Sequence, residues 1–243
     1  VVWDVIDVLL AELSENSGHA VLDVVDLGGG TGGFAVPVAE QGHRVTVVDT
    51  SPDALAALQR RAAESDLAGL VRAGQGDAAA LGDVVAPASV DLVLCHGVLE
   101  YVDDPFSAAR AVLAALRPGG MASILVAQRL GAVLARALSG RFTEAQRILG
   151  DPDARGSEND PLPRRFDETT LRSFFEAEKV HVRSVQGVRL FADLLPGALV
   201  DGDPAAAQAL MELERTACDY AKHPELTHLA SQLHLVVQIP GNT

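Results

Sequence analysis

The sequence predicts an α/β protein with a three-layer, doubly wound, mostly parallel sheet. Strand-length apolar runs alternate with helix-period segments from Val21 to Ala127. Such alternation marks a parallel sheet with helices on both faces. The first strand also runs straight into a glycine loop, V-L-D-V-V-D-L-G-G-G-T-G-G over Val21–Gly33. Nineteen residues after Gly30, the apolar run Arg44–Val48 ends in Asp49. Glycines let the backbone turn tightly against a ligand, and an acid at the next strand's tip can accept both hydroxyl hydrogens of a ribose. Strand, glycine loop, helix, strand and acid together make an adenosine-binding half-fold.

The elements follow in order. Asp4–Leu13 carries apolar residues at Val5, Ile6, Leu9, Leu10 and Leu13, a helix period. Val21–Leu27 is the first strand, Gly33–Gln41 a helix with Pro37 in its first turns, and Arg44–Val48 the second strand. Ser51-Pro52 is an N-cap followed by proline, opening a helix to about Glu64. Leu70–Ala73 is a weak third strand that ends at Gly74-Gln75-Gly76-Asp77, and Val90–Cys95 is a strong fourth. Asp104 caps a helix over Pro105–Leu116. Arg117-Pro118-Gly119-Gly120 reads as a turn before the fifth strand, Met121–Ala127.

The rhythm then breaks. Arg129–Leu149 has a helical pattern that Gly140 could interrupt, and Gly150–Pro163 is a polar loop with three prolines. Asp167–Glu178 is a helix, Val180–Val188 a strand, Pro204–Tyr220 a helix and Gln232–Ile239 a last strand. We read 1–243 as one domain, with 128–166 an inserted, substrate-facing segment after strand five.

Composition narrows the classes. Of the 243 residues, 48% are hydrophobic, which excludes a disordered chain. No apolar run approaches the ~20 residues of a membrane span, and no secretory signal follows Val1, although the abrupt start leaves room for a missing leader. Cys95 and Cys218 have no metal-type spacing, so no metal is expected and a cytoplasmic setting is the simplest. A net charge of −14 argues against a general nucleic-acid coat. The charge is uneven, however. Arg129–Arg165 holds seven arginines against five acids, a local +2 against −16 for the rest.

Gly28, Gly30 and Gly33 satisfy the dinucleotide pattern G-x-G-x-x-G, and Gly28, Gly30 and Gly32 equally satisfy G-x-G-x-G. Asp26, two residues before Gly28, helps to decide the cofactor. A carboxylate there repels a pyrophosphate but suits an amino acid's ammonium. S-adenosylmethionine (SAM) carries such an ammonium, and its sulfonium tolerates an acidic surround better than NAD does. Gly76-Asp77-Ala78 follows strand three, where a carboxylate can accept the adenine amino group. His96-Gly97 follows strand four.

Together D-x-G-x-G, the strand-two acid, G-D-A and L-R-P-G-G resemble the class I SAM-dependent methyltransferases, whose Rossmann-like sheet has seven strands with the last antiparallel. The stretch His96–Pro105 (H-G-V-L-E-Y-V-D-D-P), Gly187–Asp193 (G-V-R-L-F-A-D) and the tail from Leu213-Glu214-Arg215 to His234 are similar to the bacterial tRNA 5-carboxymethoxyuridine methyltransferase family. The similarity spans roughly Val21 to Pro240. Members of that family esterify the carboxylate of a modified wobble uridine and release S-adenosylhomocysteine. The resemblance implies cofactor contacts at Gly28, Gly29, Asp49, Gln75, Gly76 and His96. Val1 falls after the family's N-terminal segment, which carries a cofactor-contacting arginine. A lysine run found in the family's inserted segment is matched here by Asp151–Arg165, where acids and arginines mix.

The expected site follows. Asp26 and the backbone of Gly28, Gly29, Gly30 and Gly32 seat the methionine end. Asp49 holds the ribose, and Gln75, Gly76, Asp77 and Ala78 the adenine. His96 lines the floor near the transferred methyl as the catalytic candidate. Tyr101, Arg129, Arg136, Arg147 and Arg189 are the substrate candidates. Arg129, Arg136 and Arg147 would share one face of an unbroken helix, either a solvated face or an anion-binding surface for tRNA. Arg189 could instead pair with Asp193. Asp23 reads as structural, Leu171, Phe174 and Phe175 as core, and His43, His181, His223, Glu212, Glu214 and Arg215 as surface. A small-molecule methyltransferase is the alternative function. An NAD-dependent oxidoreductase and a non-catalytic SAM-binding module are further ones; Asp26 counts against NAD.

Overall fold

A computed structural model of the chain describes residues 1–196, 199, 202–218 and 223–241. Seven strands form one sheet: β1 (Asp23–Leu27), β2 (Arg44–Asp49), β3 (Val71–Gln75), β4 (Val90–His96), β5 (Leu116–Ala127), β6 (His181–Val188) and β7 (Gln232–Gln238). Their order is β3-β2-β1-β4-β5-β7-β6. The first five pair in parallel, and β7 runs antiparallel to both β5 and β6. The sheet is thus the doubly wound, mostly parallel one expected, with one reversed strand.

Both faces of the sheet are buried, so the central strands read as nearly continuous apolar runs. On one face Val24, Val45, Val47, Leu92, Leu94, Met121 and Val236 pack against α1 (Val2–Ser17), α2 (Ala35–Glu40) and α3 (Pro52–Glu64). On the other, Val25, Leu27, Val93, Cys95, Ile124, Leu235 and Val237 pack against α4 (Pro105–Ala115) and α7 (Glu168–Ala177). Local chemistry sets the helix starts. Ser51 Oγ accepts from Ala54 N at 3.2 Å, and Asp104 Oδ1 accepts from Phe106 N and Ser107 N, both at 3.0 Å.

Several expectations need correction. Arg117–Gly120 is no free turn: β5 begins at Leu116, paired with Val90, and the register shifts before Met121 pairs with Leu92. Gly119, at φ +82°, absorbs the irregularity and donates to Ile239 O at 3.2 Å. Arg129–Leu149 is two helices, α5 (Arg129–Leu138) and α6 (Phe142–Gly150), broken at Gly140 with φ +75°. His43 is buried, and its Nδ1 accepts from Leu22 N at 3.3 Å. Glu214 is buried rather than exposed. Its carboxylate collects the main-chain N–H groups of Leu190, Phe191 and Ala192 at 2.8–2.9 Å. α8 spans Pro204–Ala217; the expected helix end at Tyr220 lies outside the described residues. α9 (Pro224–Thr227) precedes β7.

Asp23 is structural. It takes Arg44 Nε at 2.7 Å and Arg117 Nη2 at 2.9 Å, while Arg117 Nη1 reaches Asp91 at 2.7 Å. This network closes the end of the sheet opposite the glycine loop. Among the described residues, no helix is long and apolar enough to cross a membrane.

Candidate active site

The winding of the sheet reverses between β1 and β4, and a crevice opens there beyond the strands' C-terminal ends, the usual ligand position in such sheets. A cavity of about 390 Å³ lies in it, walled by the tips of β1 and β2, the turn after β3 and the turn after β4. Gly28, Asp49, Gly76, Asp77 and Ala78 line it, with Thr50, Gly97, Val98, Tyr101, Val102 and Asp103.

Asp49 ties the two halves of the glycine motif together. Its Oδ2 accepts from Gly30 N at 2.9 Å and its Oδ1 from Ser51 N at 2.8 Å. The nineteen-residue spacing seen in sequence therefore closes to one hydrogen bond. Conformation also separates the two overlapping glycine patterns. Gly28, Gly30 and Gly32 have φ of +70°, +54° and +85°. A Cβ at Gly28 would strike Val98 Cγ2, and one at Gly32 would strike Leu58 Cδ1. Gly33 has open space around it. The glycines the backbone requires are thus those of G-x-G-x-G. In the dinucleotide pattern the third glycine serves close helix–strand packing; Gly33 makes no such approach.

Asp26 sits beneath the loop, 2% exposed, with its carboxyl against the Cα of Gly29. Its Oδ2 is buried without a partner. Burial, reinforced by the nearby Asp49 charge, pushes its pKa up to about 7; the Ala35 N–H opposes the rise. Glu100, unremarked in the sequence, is a second buried acid. Its Oε1 accepts from Ala127 N at 2.6 Å, tying the turn after β4 to the end of β5, and burial raises its pKa. A lone acid in the apolar run V-L-E-Y-V was its only sequence signal.

His96 ends β4 with its ring edge-on to Phe34 at 4.7 Å, and Phe34 packs on Trp3 at 4.9 Å. His96 Nε2 lies 2.8 Å from Ser123 Oγ, which lies 2.7 Å from His234 Nε2. A hydroxyl has one proton, so Ser123 donates to one imidazole and accepts from the other. The two rings therefore carry opposite tautomers. Burial lowers His96 to about 4, and burial together with His96 lowers His234 to about 3, so both are neutral at pH 7. Periodicity could not find this bridge, because it joins three strands across the sheet.

Of the remaining candidates, Asp77 and Tyr101 stay at the cavity and the arginines lie apart from its lining. Gln75 directs its amide to Thr50 O at 3.3 Å, and Asp77 caps the 3₁₀ turn Ala78–Asp83 through Ala79 N at 2.8 Å. Tyr101 stands on the cavity rim, 61% exposed. The three arginines do not form one stripe: Arg129 and Arg136 lie seven residues apart on α5, but the break at Gly140 puts Arg147 on a separate helix, α6. Arg129 donates to the carbonyls of Asp151 and Pro152 at 3.2 and 2.7 Å, and Arg136 pairs with Glu144 at 3.0 Å. Arg147 is exposed in the last turn of α6. Arg189 lies in a left-handed turn rather than a helix and pairs with Asp193, Nε to Oδ1 2.9 Å. Five of the segment's seven arginines pair with its own acids, and of the other two Arg129 is held by carbonyls while Arg147 is exposed.

The fold and the glycine–acid crevice define a class I SAM-dependent methyltransferase. A methyltransferase-domain family model matches residues 25–122. The tRNA 5-carboxymethoxyuridine methyltransferases of Escherichia coli O157:H7 and K12 are 31% and 30% identical over 242 residues, covering 99% of this chain and 87% of theirs. The chain belongs to their family. A ubiquinone biosynthesis O-methyltransferase from Xanthomonas campestris is 31% identical over 119 residues, 48% of each chain. Among solved structures, a SAM-dependent methyltransferase from Mesorhizobium loti superposes with TM-score 0.58 at 21% identity, covering 90% of this chain and 91% of its own. The [4+2]-cyclase SpnF does so with TM-score 0.62 at 20% identity, covering 97% and 82%. These two likenesses concern the fold.

Proposed function

We propose that the chain binds SAM in the β1–β4 crevice and methylates a carboxylate, the acceptor being the 5-carboxymethoxyuridine of a tRNA. The single observation that carries the acceptor is the whole-chain similarity to the two Escherichia coli enzymes of that name. The crevice residues suit the cofactor. Asp26 has a buried, unpartnered oxygen, which is costly unless an N–H or ammonium supplies a partner. Asp49, already drawing in Gly30 N and Ser51 N, projects from β2 where a ribose would lie. Asp77 and Ala78 line the adenine end.

SAM supplies an electrophilic methyl on a sulfonium. The acceptor carboxylate is already ionised at pH 7, with an ordinary pKa near ~4, so no general base is required. The protein's work is alignment and exclusion of water. A neutral His96 fits this scheme, because an imidazolium would repel the sulfonium. Residues 128–166 form the acceptor-facing segment in this reading, within a single domain spanning 1–243, with Tyr101 and Arg147 the exposed groups available to an acceptor.

A second reading, a small-molecule acceptor, is favoured by the pairing of five of the segment's seven arginines with its own acids, which leaves few side chains free to track a phosphate backbone. Incubation with labelled SAM and total small RNA, with and without ribonuclease, separates the two. Label that is ribonuclease-sensitive and released as methanol by mild alkali supports the tRNA ester. An alkali-stable label excludes a carboxyl acceptor, and a labelled small molecule selects the second reading.

A further inference from the structure

We propose that Arg164 is a positioning residue for the cofactor: its guanidinium clamps the Leu99–Asp103 turn that walls the crevice, so the segment between β5 and α7 governs cofactor affinity. The proposal rests on the crevice being the SAM site.

The clamp is built from main-chain acceptors. Arg164 Nη1 donates to Val102 O and to Leu99 O, the latter at 3.5 Å, and Nη2 donates to Asp103 O at 3.4 Å. Nε lies 3.6 Å from Asp153, and the side chain is only 18% exposed. Three carbonyls converging on one planar fork is an arrangement open to arginine and closed to lysine, whose donors radiate from one point.

The turn needs such a holder. It is neither helix nor strand, and within it Tyr101 N donates to Val98 O at 3.0 Å. Its side chains Val98, Tyr101, Val102 and Asp103 are cavity wall. Glu100 fixes one side of the turn to β5 through Ala127 N; Arg164 fixes the other from outside the sheet.

Arg164 is itself firmly placed. Two residues on, Phe166 N donates to Ala127 O and Phe166 O accepts from Arg129 N, at 2.9 and 2.8 Å. Next to it, Arg165 is buried against Asp160 at 2.9 Å. The wall of the crevice is thus hung on the segment that also carries α5 and α6, and a shift of that segment moves the wall.

The test compares Arg164→Ala, Arg164→Lys and, as a control from the same segment, Arg155→Ala, which loses only an exposed pair with Asp151. S-adenosylhomocysteine affinity is measured by calorimetry, and amide exchange over 98–104 by mass spectrometry without ligand. Arg164→Ala is expected to bind at least tenfold more weakly, Arg164→Lys to fall between it and wild type, and Arg155→Ala to stay within twofold. Exchange over 98–104 should rise in both Arg164 variants. A folded Arg164→Ala that melts lower yet binds within twofold of wild type overturns the proposal, since that is the mark of a purely structural staple. If Arg164→Ala does not fold, Arg164→Lys decides by the same criteria. A wild type that binds no S-adenosylhomocysteine refutes the cofactor reading itself, a result distinct from unaffected variants of a binding-competent protein.

Discussion

Replacing Asp26 by Asn should change how stability depends on pH. Asp26 has an ordinary pKa of 3.8 in the unfolded chain and about 7 in the fold. Below pH 3.8 it is protonated in both states. As pH rises from there towards 7, the unfolded chain releases the proton and the folded one keeps it, so folding loses stability until the folded carboxyl also ionises. The full interval corresponds to on the order of 4 kcal/mol, and roughly 2.5 kcal/mol of it falls between pH 5 and pH 8. Asparagine is nearly isosteric, and its Oδ1 can keep the Ala35 N–H bond, but it cannot ionise. Urea unfolding at pH 5, 6, 7 and 8 should show Asp26→Asn gaining on wild type by that amount as pH rises; other groups cancel in the difference. A gap between the two proteins that is constant with pH would refute the reasoning. The cofactor reading adds a second signature. An ammonium beside Asp26 would hold the carboxylate ionised, so S-adenosylhomocysteine should bind wild type more weakly as pH falls below 7. Calorimetry in buffers of different ionisation enthalpy should register the proton released on binding.

Asp49→Ala should weaken S-adenosylhomocysteine binding at least tenfold, through loss of charge-assisted bonds worth ~1.5–3 kcal/mol each; an unchanged dissociation constant would remove Asp49 from the ribose site. Gly32→Ala, at φ +85° and against Leu58, should cost about 1–3 kcal/mol in chemical denaturation, whereas Gly33→Ala should be nearly neutral; equal effects would contradict the assignment of G-x-G-x-G. Ser123→Ala should strand two imidazole nitrogens inside the sheet, with a penalty of about 1–3 kcal/mol for each buried unpaired group. A melting temperature unchanged by that substitution would mean the His96–Ser123–His234 bridge contributes nothing. Arg147→Ala should reduce the salt slope of any RNA binding by about one, while Arg136→Ala should lower stability and leave the slope alone; the opposite pattern would show Arg136 leaving Glu144 to meet phosphate.

What could be read in the sequence was whatever local periodicity and spacing encode. The β–α alternation through β5, the Ser51 and Asp104 caps and the Gly28–Asp49 unit are all short-range or fixed-interval signals, and the structure keeps them. The misses have other causes. Glu214 read as helix surface because its partners, the N–H groups of 190–192, lie over twenty residues upstream on another element. His43 read as exposed because it meets Leu22 across two strands. Arg147 would join Arg129 and Arg136 on one face only if the helix ran unbroken through Gly140, and the structure breaks it there. For Glu214 and His43 the deciding contact is long-range, and charged residue types give no hint of whether the partner is water, protein or ligand.

That last ambiguity bears directly on the acceptor. The segment's +2 survives pairing, but pairing decides which side chains are free to meet an acceptor. Arg136 and Arg141 both face Glu144, Arg155 faces Asp151, and Arg165 is buried against Asp160. Pairs of this kind hold a segment's shape but largely cancel beyond a Debye length of about 8 Å. The crevice tells a similar story: His96 and His234 are neutral at pH 7, and the Asp26 carboxyl is held near its midpoint. The cavity wall carries Asp49, Asp77 and Asp103 and no lysine or arginine, so positive charge there comes from what enters it. In the proposed reading the cofactor's sulfonium and ammonium become the strongest positive centres at the β1–β4 switch point, and an anionic acceptor is drawn most strongly to a crevice already loaded. Acceptor affinity should therefore rise when SAM, or its uncleavable nitrogen analogue sinefungin, is bound, and rise less with the uncharged sulfur of S-adenosylhomocysteine. Equal acceptor affinity in the free and SAM-loaded protein would mean that the chain's own residues, Arg147 and Tyr101 among them, supply the anion site.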